Sequence, residues 1–289
     1  MSSMAKYELV EAPNPPRPGM MRVRALRDIP SISVKAGDVG GWVGGPGNLA
    51  QDGDCWVYDN AQVWGDAQVF GDALVSGGAL VSDDAKVYGN ALVCGKAAVY
   101  GDAVVCGNAR VYGGTCVYGD AKVYGDAQVF GNAMVYSSAQ VSGSAQVFGD
   151  ALVYSSAQVS GSAQVFGSAQ VCGGAHVYGD AAVFGRARVY GDARVGGNAL
   201  VRDYARVSGD AQVRDYASVR DKARVYGDAE VDGDMVVDGN TVIDGSQPSK
   251  PASRQPKAAT MPARGKTTPA SNVGSFAPKT GADQGDVLR

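Results

Sequence analysis

His176 is the only histidine in the 289-residue chain, so general-base chemistry through an imidazole has a single address. It sits in a short apolar-centred segment (HVYG), where an ordinary surface histidine is the simpler reading. No phosphate loop, nucleophile motif or metal-ligand cluster accompanies it. A second chemistry is offered by Asp66, Asp84, Asp102 and Asp120, which recur every eighteen residues. Carboxylates stacked ~5 Å apart repel unless they are counter-charged or share a cation such as calcium. Turn capping by each aspartate is the plainer account. The Gly-Gly-x-Gly-x-Asp pattern of calcium-binding β-rolls is missing. Five cysteines (Cys55, Cys94, Cys106, Cys116 and Cys172) never fall eighteen residues apart and read as free thiols of a reducing compartment. Eight arginines, from Arg186 to Arg224, alternate with aspartates, and such interleaving argues against a nucleic-acid stripe.

All these residues ride on one array. From position 57 to 243 a valine, and finally Ile243, returns every sixth residue, and four places later stands a small residue, nearly always alanine. Thr115, Met235 and Thr241 are the departures from alanine. The period fits neither an amphipathic helix nor a long alternating strand. It describes a short strand, A-Q-V-Y, followed by a Gly-Asp or Gly-Asn corner that tolerates positive φ. Alanine and valine are two apart, so both face inward, and flanking residues such as Gln128 and Phe130 face outward. Strands and corners with one fixed interior side make a solenoid.

The number of strands per coil is also legible. Residues 135–149 (VYSSAQVSGSAQVFG) recur unchanged at 153–167, an offset of eighteen. Three hexads per coil give a triangular prism of roughly ten coils, about 50 Å long at the ~4.8 Å inter-strand spacing. Outward residues then fall into columns. Phe130, Phe148, Phe166 and Phe184 form one, and Tyr100, Tyr118, Tyr136 and Tyr154 another. Beside the tyrosines run Leu80, Ala98, Cys116, Met134 and Leu152. Stacking alone could account for the aromatics. An apolar face longer than four coils exceeds what a soluble monomer normally exposes, so we read the Leu80, Tyr100, Tyr118, Met134, Tyr136, Leu152 and Tyr154 face as an oligomer interface.

The flanks differ from the array. Residues 1–20 are Pro-rich and expected to be flexible, and residues 21–56 are expected to cap the open first coil of a 57–245 prism. Leu49 stands six residues after Val43, so a first irregular coil is expected there. The eight-residue step from Leu49 to Val57 is the one register break. Residues 246–289 are rich in Ser, Pro and Ala with almost no large apolar residue, and are expected to form a disordered basic tail. Net charge is −3, which gives no bulk affinity for polyanions. No apolar run is long enough to span a membrane, and no signal-peptide core is present.

The array resembles left-handed parallel β-helices built from hexapeptide repeats, as in bacterial acyltransferases and γ-class carbonic anhydrases. The aliphatic residue with a small residue four later is their shared pattern. Left-handedness is what the resemblance implies; the general preference for right-handed crossovers points the other way. The opening, RVRALRDI at 22–29, VKAGDVGGWV at 34–43 and NLAQDGDCWVYDNAQV at 48–63, is similar to a narrower family of bacterial and prophage hexapeptide-repeat proteins, the YdcK-like proteins. The acyltransferase resemblance implies His176 as general base, acetyl-coenzyme A or another acyl donor as cofactor, and a homotrimer. The uninterrupted repeat lacks the inserted loop such enzymes use, and one histidine cannot supply the three zinc ligands of the anhydrases. The reading from sequence is therefore a non-enzymatic structural or interaction protein of prophage or phage type, with no cofactor. It is expected in the cytoplasm or in a virion assembled there, and the acyltransferase is the alternative.

Overall fold

The structure, a computed structural model, describes residues 5–246. It is an all-β solenoid whose two-residue strands stack in parallel into three sheets of fourteen, eleven and ten strands, the first of which also takes in three longer N-terminal strands. Partners are eighteen residues apart throughout the regular coils, as in Val135↔Val153 and Val147↔Val165. The expected three strands per coil are therefore observed, with an eleven-stranded sheet in place of roughly ten coils. The reason is the two-sidedness of the hexad. Every regular valine from Val57 to Val231 is buried, as is every alanine that shares its side, and Gln128 and Phe130 are only partly covered. Thr115 enters the alanine column because its hydroxyl donates to the Tyr112 carbonyl at 3.3 Å, so no buried polar group is left unpaired.

Corners carry the second half of the code. The residue two places after each valine has positive φ, and glycine usually fills it. At Gly143 (φ 65°) a Cβ would stand 2.8 Å from the Gly161 carbonyl oxygen of the next coil. Gly143→Ala should therefore cost about 1–2 kcal/mol, while Ser137→Gly, where φ is already 57°, should leave the melting temperature level or raised. Equal losses in thermal melts would refute the steric account. Aspartate tolerates the same conformation at Asp59, Asp83, Asp203, Asp215 and Asp221, and each carboxylate accepts an N–H one coil on. The bonds from Gly77 and Gly101 are 3.0 Å. Asparagines extend this inter-coil bonding, with Asn90 donating to Asn108 at 3.0 Å and Asn108 to Asp126 at 2.9 Å.

The first coil departs from the rule as the Leu49 to Val57 step requires. Trp42 pairs with Gln62 and Leu49 bridges Val69, offsets of twenty instead of eighteen. The two extra residues lie around Gln51 and Asp52, and they form a receiving site for the N-terminus. Strand β1 (Tyr7–Val10) pairs antiparallel with β2 (Met21–Ala25), which pairs antiparallel with β3 (Val39–Val43). β3 then joins the fourteen-stranded sheet in parallel with Gln62–Val63. Here the structure corrects the expectation of a flexible 1–20 segment over its described part, residues 5–20. Within it, Lys6 and Tyr7 are buried. The Gln51 side chain clasps the backbone of Tyr7 and Lys6, and the Lys6 ammonium donates to the carbonyls of Gly53 (3.2 Å) and Cys55 (3.0 Å). Arg17 stacks 4.0 Å over Trp64. Proline-rich composition obscured a strand that pairs with β2 and whose first residues are held by a side chain forty-five residues away.

The opposite end is more open. Val242 is 53 % exposed, Thr241 is exposed and Ile243 is only partly covered. The expected disordered tail, apart from Ser246, lies outside the described residues.

Candidate interaction face

The fourteen-stranded sheet brings together the side chains expected to form an interface. Leu80, Ala98, Cys116, Met134 and Leu152 follow one another in ladder register down its outward surface. Two residues further along the chain, just past each strand, Tyr100, Tyr118, Tyr136 and Tyr154 stack with ring centroids 4.9, 4.9 and 5.0 Å apart and planes within 3° of parallel. The coil rise sets that spacing, because identical rings on identical backbones repeat at the inter-strand distance. All seven residues expected at this interface are partly exposed, so the face is flat, apolar and rimmed by hydroxyls. Hydrogen bonding with the Cys172 thiol, then burial, pushes the Tyr154 hydroxyl up to about 12, and burial raises Tyr100 and Tyr136. These phenols therefore stay neutral near pH 7, and the face carries donors without charge.

The eleven-stranded sheet carries the second aromatic column. It begins one coil earlier than the phenylalanines: Tyr112, Phe130, Phe148, Phe166 and Phe184 stack at 4.8 to 5.0 Å. Tyr112 is eighteen residues before Phe130, so the same offset that revealed the coil could have found it.

Other candidate residues are more isolated. His176 lies on the ten-stranded sheet between Gln158 and Arg194 in the ladder, half-buried, and no described side chain hydrogen-bonds its ring. Asp66, Asp84, Asp102 and Asp120 are exposed on one corner, and the first three share a shallow depression with Lys86. None of the four carboxylates makes a hydrogen bond to a described residue, in contrast to the capping role expected of them. The inter-coil bonds come from aspartates one place earlier in the corner, such as Asp83. Among the described residues no three His, Cys, Asp or Glu side chains are grouped so as to hold a metal ion. All five cysteines are free, with Cys55 buried in an inward slot.

Of the late arginines, three are paired as interleaving implies. Arg202 meets Asp203 at 3.3 Å, Arg214 meets Glu230 and Asp232 at 2.9 and 3.1 Å, and Arg220 meets Asp238 at 2.9 Å. Arg188, Arg206 and Arg224 differ, for they share one ladder. Sequence reasoning took the late arginines only as interleaved with aspartates and missed this alignment, although the eighteen-residue offset contains it. No helix is long and apolar enough to cross a membrane among the described residues.

The YdcK β-solenoid repeat model matches residues 67–83, 127–143 and 145–161. No curated protein matches the chain. Matched segments and the coils observed over them agree: the chain carries YdcK-type β-solenoid repeats.

Proposed function

We propose that this YdcK-like β-solenoid is a structural or interaction protein, a rigid prism that assembles with copies of itself, as a trimer, through the tyrosine face. The observation that carries this reading is the continuous column from Leu80 to Leu152 beside four stacked tyrosines. Apolar side chains on successive coils form a strip that gains most when a second flat surface covers it. Rigidity comes from the coil itself, since each strand is bonded to the coils before and after it. Such a prism suits a tail-associated virion part of prophage or phage type, or an intracellular scaffold. It needs no cofactor.

Assembly and catalysis are tested together. Met134→Glu with Leu152→Glu leaves every inward valine and alanine in place, so the prism should fold. Two carboxylates against an apolar neighbour cost several kcal/mol, and sedimentation should show a folded species of smaller mass than the parent. An unchanged mass places the seam elsewhere, with the Tyr112 to Phe184 column as the next candidate. His176→Ala should keep the parent's assembly. Acylation of an acceptor by the parent with acetyl-coenzyme A, lost in His176→Ala, would overturn the non-enzymatic reading.

A further inference from the structure

The aromatic column of the tyrosine face changes character in the last coils. Tyr190, Ser208 and Tyr226 take the same place in three successive coils, each following a valine of the ladder Val189, Val207, Val225. A serine therefore stands where the coils on either side carry a tyrosine. Two coil steps separate the two rings, about 9.6 Å at the ~4.8 Å inter-strand spacing. A flat ring lying over Ser208 would be about 4.8 Å from each tyrosine, which is within the separations at which this chain's own rings stack (4.7 to 5.0 Å). The arrangement forms a concave slot, lined by both tyrosines, Ser208, Gly209, Arg206 and Arg224. Tyr190 and Tyr226 are 38 % and 42 % exposed, so both rings present surface to an incoming ligand.

Charge around the slot is one-sided. Arg188, Arg206 and Arg224 face each other directly along the ladder, and like charges in that position repel. None of the three forms an ion pair among the described residues, in contrast to Arg202, Arg214 and Arg220. On the far side of the slot the corner carries Asp192, Asp210 and Asp228. An anion is thus drawn to the arginine side and repelled from the other. Guanidinium groups on adjacent coils can each present a fork of donors to a phosphate, which has enough terminal oxygens for both.

We propose that this slot binds a nucleotide unit, its base between Tyr190 and Tyr226 and its phosphate on Arg206 and Arg224. The unit is either a free mononucleotide or one residue of a single strand, and the ligands of the test distinguish them. Calorimetry on the full chain would use adenosine monophosphate, adenosine, inorganic phosphate and a short single-stranded oligoadenylate. Adenosine monophosphate should bind more tightly than adenosine or phosphate. Tyr226→Ala should weaken it at least about five-fold, the loss expected for one base–aromatic stack. Arg206→Gln with Arg224→Gln should remove the advantage over adenosine. Ser208→Tyr is the decisive variant, because it fills the slot with a ring that continues the ladder. It should lose binding while its melting temperature is level or raised. An oligoadenylate that outbinds the mononucleotide, and loses that binding in Ser208→Tyr, identifies the strand as the source; equal affinities identify the free nucleotide. Undiminished binding to folded Ser208→Tyr overturns the proposal, as does a mononucleotide that binds no more tightly than phosphate.

Discussion

Val147→Asp should unfold the solenoid at temperatures where Gln146→Asp leaves it intact. Val147 is fully buried between Val129 and Val165 of the neighbouring coils, while Gln146, one residue away, is partly exposed. An unpaired carboxylate in that interior costs several kcal/mol, or takes up a proton to avoid the charge and still leaves a polar group without a partner. At the outward position the same group stays hydrated, and the expected change is within about 0.5 kcal/mol. Thermal melts of the two variants measure the difference directly. Identical melting curves would contradict the inward assignment of the valine column.

Removal of residues 1–48 should be the other severe change, with aggregation as its readout. The deletion takes away β1, β2 and β3 and leaves the backbone groups of the first regular coil unpaired. Among the bonds lost, the Trp42 N–H donates to the Ala61 carbonyl and the Gly44 N–H to the Val63 carbonyl. An open edge of this kind pairs with any available strand. Light scattering should show large species at concentrations where the parent is monodisperse, and a monodisperse truncated protein would remove the capping role. A gentler version is Lys6→Met. It keeps the strand and its volume but deprives the Gly53 and Cys55 carbonyls of their buried donor, at a cost of about 2–4 kcal/mol. Its melting temperature should fall, with the coils beyond Val57 keeping their circular dichroism until that transition.

What could be read in the sequence follows from what repeats. Alternation of valine and alanine exposes the interior because burial acts on every coil alike, and one error in eighteen would show. Offsets of eighteen also set the tyrosine column in its place. The N-terminal strand of the cap resisted because it occurs once. Nothing in KYELV says that Lys6 will be buried against carbonyls some forty-nine residues later, since the site is made by a two-residue irregularity and not by a pattern. Candidate sites divide in the same way. Columns such as Leu80 to Leu152 were legible from spacing. The turn capping expected of Asp84 and its column gives way to inter-coil bonds from the residue one place earlier, because only the backbone shows that positive φ falls on Asp83 and not on Asp84.

The fixed register has an evolutionary consequence. Every regular coil offers the same backbone to the coils on either side, so loss or gain of eighteen residues leaves each remaining junction unchanged. Identical segments such as 135–149 and 153–167 are the substrate on which unequal recombination acts. The gene can therefore change the length of its product in steps of one coil, about 4.8 Å each, without searching for a new fold. Length in such a molecule is set by copying, and variants within one lineage should differ in length by multiples of eighteen residues before they differ in cross-section.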